Sequence, residues 1–126
     1  MSTSRLYPGV PDDFEARIRI LPPEEGGRKQ PPYNGIRWDF RYALDKPACD
    51  YMYSDFYDPL TGNSWRELPL SLDEWLHARL SIFFEEARAF HQKKLRPGTS
   101  FYCVEGSHIV AEGTVTRITG LFEPRA

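Results

Sequence analysis

The residues of this sequence that could carry out chemistry are few and widely spaced. His77, His91 and His108 show no H-x-x-x-H or H-E-x-x-H pairing, so the sequence predicts no zinc site. Cys49 and Cys103 have neither metal-ligand nor disulfide-framework spacing, and we expect two buried thiols in a reducing compartment. These residue types therefore give no indication of a metalloenzyme or a thiol enzyme.

Two further patterns could indicate catalysis or phosphate binding. Asp55 and Asp58 lie three residues apart in an aromatic turn; paired carboxylates could serve acid–base or cation chemistry, but a solvated turn is the simpler interpretation. Gly26-Gly27-Arg28 is not a G-x-x-x-x-G-K-[ST] phosphate loop, and a Gly-Gly pair after a strand is typical of a turn. The sequence thus predicts a protein that is not an enzyme, binds no nucleotide and requires no cofactor or metal.

Composition and charge indicate a single soluble domain. The 126 residues are 40% apolar and 27% charged, with eleven prolines and nine glycines, which suits one core and a turn-rich fold. Eighteen aromatic residues are expected mostly to fill that core. The net charge of −2 weighs against a dedicated nucleic-acid binder. Because neither a signal-peptide core nor a membrane-length apolar run is present, we expect a cytoplasmic protein without membrane contact.

Two alternating stretches and the connector between them occupy residues 14–42. Phe14 to Ile20 alternates apolar and charged residues, which predicts a half-buried strand that ends at Pro22-Pro23. After Asn34-Gly35, which favours a tight turn, a second alternating strand extends from Ile36 to Leu44. We expect these strands to form one hairpin.

The remaining chain predicts more strands and one short helix. Residues 51–57 form an aromatic strand, and residues 75–84 fit both strand and helix spacing, of which we assign the strand. Glu85 and Glu86 begin a helix over 85–95. A final hairpin turns at residues 105–107, with Gly113 as a bulge or a close backbone approach.

These elements together favour an all-β antiparallel barrel or sandwich of about six strands. The domain is expected to span residues 13–122, after a flexible N-terminal arm over 1–12 and before a tail over 123–126.

Two segments resemble the third, C-terminal β-barrel domain of translation elongation factor Tu. Residues 14–42 carry Glu25-Gly26-Gly27-Arg28 where that family has E-G-G-R, followed by Gly35 and a second strand. Residues 101–118 are similar to the domain's last hairpin and keep its framework positions, namely Phe101, Glu105, Gly106, Val110, Gly113 and Val115. The resemblance implies a six-stranded antiparallel barrel of the translation-factor type.

The resemblance also implies binding residues. In that family the domain contacts the tRNA T-stem backbone, packs on the GTPase domain and meets the exchange factor. The matching RNA-facing positions are Arg28, Lys29, Asp39, Glu105 and Gly106. Asp39 replaces a glutamine, and a carboxylate only accepts hydrogen bonds and repels phosphate, which favours a protein partner over tRNA.

The predicted hairpin carries six basic residues on its outward-facing positions or in its connector. They are Arg17, Arg19, Arg28, Lys29, Arg37 and Arg41. They could meet RNA phosphates, pair with the acidic segment 45–74, or be solvated. We therefore hypothesise a non-catalytic module that binds a protein partner in translation. The alternative is an accessory protein that binds RNA or tRNA through the face of Arg28 and Lys29. The expected contact residues are Arg28, Lys29, Arg37, Asp39, Arg41, Glu105 and Gly106.

Overall fold

A computed structural model of the protein describes residues 4–44 and 50–125. Within these ranges lie six strands and one α-helix: β1 (Phe14–Ile20), β2 (Trp38–Tyr42), β3 (Asp50–Tyr57), β4 (Trp75–Ile82), α1 (Glu85–Lys94), β5 (Ser100–Glu105) and β6 (His108–Ile118). A 3-10 turn at Pro23–Glu25 follows β1. The strands form a closed antiparallel barrel, which confirms the predicted six-stranded fold with a short helix.

The barrel closes in the order β1–β4–β3–β2–β5–β6, and β6 returns to β1. The predicted hairpin of β1 and β2 is therefore wrong, because in the described sheet two strands separate them on either side. Alternation showed which face of each strand is buried, but it carries no information on which strand is its neighbour. The basic side chains of β1 and β2 consequently lie on opposite walls.

The boundaries of β2 and β4 differ from the sequence assignment. β2 begins at Trp38 instead of Ile36 and ends at Tyr42, and Leu44, which we assigned to its buried face, is 98% exposed. The ambiguous segment is a strand, as predicted, because β4 pairs with β1 on one side and β3 on the other. It ends at Ile82, so Phe83 and Phe84 lie outside the strand and are exposed.

Aromatic rings fill the centre of the barrel. Phe40 and Phe101 stack at 4.5 Å, and Phe14 meets both rings edge-on at 6.0 and 6.4 Å. Gly113 lies directly against Phe101, since a Cβ at this position would be 2.3 Å from the ring Cζ. This contact explains the glycine that the sequence singled out. The register shift between β5 and β6 lies instead between Cys103 and Val104.

One end of the barrel is closed by α1. His91 on this helix is fully buried, and its Nδ1 lies 2.6 Å from the Tyr42 hydroxyl. Arg88, also buried, donates from Nε to Asp13 at 2.9 Å and from Nη2 to three carbonyl oxygens at residues 120–123. Asp13 further accepts from the Ile82 amide at 2.7 Å and pairs with Arg125. The cluster ties the helix and the C-terminal segment to the barrel.

The opposite end, which we name the connector end, is where β1, β3 and β5 finish. Residues 21–37 and 58–74 cover it and are joined there by a hydrogen bond from the Leu70 amide to the Pro32 carbonyl at 3.0 Å. Each connection contributes a buried side chain at this end, Ile36 from the first and Leu70 from the second. The long irregular connections therefore meet at one end of the barrel.

Residues 4–12, which the sequence assigned to an arm, lie along the outside of β3 and β4. The Leu6 amide donates to Ser64 Oγ at 2.8 Å, and the Tyr7 hydroxyl donates to the Gly35 carbonyl at 3.1 Å. Near the other end, the Ser81 hydroxyl donates to the Pro11 carbonyl at 2.9 Å. These contacts connect the N-terminal segment to both ends of the barrel wall.

Replacement of Arg88 by methionine should destabilise the protein by about 3–5 kcal/mol, because it removes a partner of the buried Asp13 carboxylate. Urea unfolding would measure the change in the free energy of unfolding. Arg117→Met is the control, since Arg117 is 72% exposed and its pair with Glu15 should contribute about 1 kcal/mol or less. Equal losses in the two variants would contradict the structural role of Arg88.

Gly113→Ala should cost about 1–3 kcal/mol, because the added methyl group would displace the Phe101 ring. The same substitution in a Phe101→Leu background should cost less, since the ring is then absent. A double-mutant cycle from thermal or urea unfolding measures this coupling. Additive effects would exclude the ring contact as the reason for the glycine.

Candidate functional site

The residues predicted to contact a partner fall into two separate groups. Arg28, Lys29, Glu105 and Gly106 lie at the connector end. Asp39 and Arg41 lie on the outer face of β2, where they alternate with the buried Trp38, Phe40 and Tyr42, and Arg37 directly precedes the strand. The structure thus brings together four of the predicted residues at one end and three along one wall.

Arg28 and Glu105 are joined to each other. Arg28 Nε donates to both Glu105 carboxylate oxygens at 2.8 and 3.1 Å, and its Nη1 donates to the Gln30 and Pro31 carbonyls. Glu105 also accepts from the Trp38 indole N–H at 2.9 Å. The pair therefore fixes the connector to the end of β5, with Gly106 in the following turn at a φ of +64°. Lys29 beside it is exposed.

The outer face of β2 combines arginines with aromatic rings. The Arg37 guanidinium lies 5.2 Å from the centre of the Tyr53 ring and 5.9 Å from that of Phe83, while Arg41 lies 5.4 Å from Tyr102. Asp39 sits between the two arginines along the strand and is paired with Tyr51 of β3 in the sheet. We name this face the β2 wall; it carries both charge signs and exposed rings.

The six basic residues do not form one face, which corrects the sequence expectation. Arg19 on β1 binds Glu25, Asp73 and Glu112, and these hydrogen bonds raise its pKa. Arg28 is paired with Glu105, as described above. The sequence had left open pairing with the acidic segment 45–74, and this holds for Arg19 through Asp73 but not for the pair of Arg28 with Glu105.

The connector end also presents apolar side chains that the sequence interpretation missed: Tyr33, Trp65, Leu68, Leu72 and Trp75, which are between 37% and 66% exposed. They belong mostly to the segment 65–75, of which residues 65–74 form neither helix nor strand. An available signal was the proline at Pro69 among these tryptophans and leucines, because proline interrupts the regular element that would bury them.

Two adjoining grooves cross this surface and share Pro69. The first, named the Trp groove, has a volume of about 240 Å³ and is lined by Trp65, Glu67, Pro69, Leu70, Ser71, Glu74 and Leu76. The second, named the proline groove, measures about 190 Å³ and is lined by Ile20, Leu21, Pro23, Arg28, Lys29, Gln30, Pro31, Pro32, Pro69 and Leu72. The predicted Arg28 and Lys29 thus border a concave apolar surface.

Polar contacts hold the loop that carries Trp65. The Trp65 amide donates to the Phe56 carbonyl at 2.9 Å, and its carbonyl accepts from Asn34 Nδ2 at 3.0 Å. Asn34 also bonds to both backbone groups of Phe56 at 2.8 Å. Asn34 of the first connector therefore fixes the second connector. The backbone that carries the exposed Trp65 is held in place by these hydrogen bonds.

The residues considered for catalysis have structural partners. Asp55 is buried in β3 rather than solvated in a turn, and it pairs with Arg79 at 3.1 Å. Asp58 accepts the Leu60 amide within the following turn at 2.9 Å. Cys103 is a buried free thiol, as predicted, and burial raises its pKa to about 12; Cys49 lies outside the described residues.

Over 4–44 and 50–125, no group of three or more His, Cys, Asp or Glu side chains could hold a metal ion. No helix in the same ranges is both long and apolar enough to cross a membrane.

Comparison with known proteins gives no assignment. No protein-family model matches the chain, and no curated protein gives a significant match. Function must therefore be inferred from the surface itself.

Glu105→Ala should lower the free energy of unfolding by about 2–3 kcal/mol, because it leaves the Trp38 indole N–H and the Arg28 guanidinium without their shared acceptor. Thermal and urea unfolding would measure this loss. Glu24→Ala, an exposed substitution in the same connector, should change stability by about 0.5 kcal/mol or less. Wild-type stability of Glu105→Ala would show that the carboxylate is not a structural anchor and is available to a partner.

Proposed function

We propose that this protein is a non-catalytic module that binds a protein partner through the connector end of its barrel. The observation that carries the proposal is the exposed apolar surface around the two grooves. Trp65, Leu68 and Leu72 are 37%, 66% and 38% exposed. Exposed apolar surface of this kind, bordered by charged residues, is typical of interaction sites.

The shape of the surface favours a protein over a small molecule. The grooves measure about 240 and 190 Å³, whereas ligand pockets usually enclose about 300–1,000 Å³. Shallow adjoining grooves with an aromatic anchor fit side chains of a partner instead. The hydrogen bonds of Asn34 hold this surface in place, which reduces the entropy lost on binding.

A partner in translation is the most specific version of this proposal. It rests on the resemblance of residues 14–42 and 101–118 to the third domain of elongation factor Tu. Three residues that match that domain, Arg28, Glu105 and Gly106, lie at the connector end with the grooves. Arg28 and Glu105 are paired with each other there and hold the connector to β5.

RNA or tRNA binding is the alternative, and the β2 wall is the observation that favours it. Arg37 and Arg41 lie over aromatic rings, and guanidinium groups beside rings are a common means of binding single-stranded nucleic acid. Asp39 between them opposes phosphate binding. This option therefore ranks below the protein partner.

Leu68→Glu should abolish capture of the partner from a native lysate, with a loss of about tenfold or more, because it places a charge in the apolar contact. Leu68 lines a further small groove together with Tyr33 and Trp65. Leu60→Glu is the matched control, since Leu60 is 92% exposed on the preceding turn and is not among the residues that line a groove with Trp65. Quantitative mass spectrometry of the captured proteins compares the two variants. The same loss in both, or in neither, would contradict binding at the connector end.

Affinity for tRNA tests the alternative. If the β2 wall binds RNA, affinity should fall steeply between 50 and 200 mM salt, and Arg37→Ala or Arg41→Ala should weaken it. Fluorescence anisotropy with labelled tRNA measures both effects. Undetectable or salt-independent binding would remove this function.

A further inference from the structure

The Trp groove has apolar walls and an acidic rim. Trp65, Pro69 and Leu76 provide its apolar surface together with Leu70, which is 4% exposed. Glu67 and Glu74 line the same groove, and both are exposed. A side chain entering the groove would therefore meet apolar surface along its length and carboxylates at the rim.

These two carboxylates lack the counter-charges that their neighbours have. Glu25, Asp73 and Glu105 at the same end are each paired with an arginine. Glu67 and Glu74, by contrast, form no ion pair with any residue in 4–44 or 50–125. The groove thus carries two carboxylates without an ion-pair partner among the described residues.

The nearest cation in sequence is directed elsewhere. Arg66 lies between Trp65 and Glu67, but its Nη2 donates to Ser4 Oγ at 3.1 Å and to the Arg5 carbonyl at 3.0 Å. Its guanidinium is therefore held by the N-terminal segment instead of neutralising the groove. The uncompensated charge is a consequence of this arrangement and not of composition alone.

From this complementarity, and on the premise of the proposed function, we infer that the Trp groove binds an arginine or lysine side chain of the protein partner. The aliphatic stem of such a residue packs on Pro69 and Leu76, and its cationic head meets Glu67, Glu74 and the indole face of Trp65. An acidic residue or a phosphate is repelled. The volume of about 240 Å³ suits a single long side chain.

Short peptides test this inference without knowledge of the partner. The probes are acetyl-Leu-Arg-Leu-amide and acetyl-Leu-norleucine-Leu-amide, which differ in the charged head, and the readout is the Trp65 indole N–H signal in a ¹⁵N NMR titration. We expect the arginine peptide at millimolar concentration to shift this signal, with affinity about fivefold or more above that of the norleucine peptide. The Trp65→Phe variant assigns the signal.

The charge dependence is tested by the double substitution Glu67→Gln and Glu74→Gln. It should remove the preference for arginine, whereas Glu86→Gln with Glu123→Gln, two exposed glutamates outside the groove, should retain it. Equal affinity of the two peptides, or no shift of Trp65 with either, would overturn the inference. If partner capture still depends on Leu68, either result contradicts only the binding of arginine or lysine in the Trp groove and not the proposed function. The failure of this inference can therefore be distinguished from the failure of the proposed function.

Discussion

Closure of the barrel in the order β1–β4–β3–β2–β5–β6 obliges two connections to cross its ends. β1 and β2 lie on opposite walls, so residues 21–37 must pass over one end to join them. β4 and β5 are likewise not neighbours, and α1 crosses the other end between them. Closure removes exposed strand edges. The core at the two ends of the barrel must then be covered by the connections between strands. Leu70 and Ile36 cover it at one end, and His91 and Leu95 cover it at the other.

The sequence was sufficient for the parts of the fold that depend on local pattern. Alternation identified the buried phase of β1 and β2, and the charges of Glu85 and Glu86 marked the start of α1. Pairing partners could not be derived in this way, because the contacts of β1 with β4 and β6 join residues far apart in the chain. Asp55 is a similar case: its burial depends on Arg79, which only the sheet brings beside it.

The same distinction applies to the candidate site. The resemblance selected Arg28 and Glu105, but their pairing spans 77 positions and became visible only in the fold. The exposure of Trp65 was not predicted, since a tryptophan in this segment could equally fill the core. At that end Leu70 occupies a buried position, and Asn34 fixes the backbone around Trp65.

Charge distribution at the connector end makes a polyanionic ligand unfavourable there. Arg19 and Arg28 are paired with carboxylates of the same molecule, while Glu67 and Glu74 remain uncompensated among the described residues. A phosphate backbone approaching the grooves would have to displace existing ion pairs and also approach unpaired carboxylates. A basic protein segment would instead compensate those carboxylates while covering Trp65 and Leu68. Because electrostatic complementarity determines which partners are rejected as well as which are bound, the apolar surface and the unpaired carboxylates favour the same kind of partner.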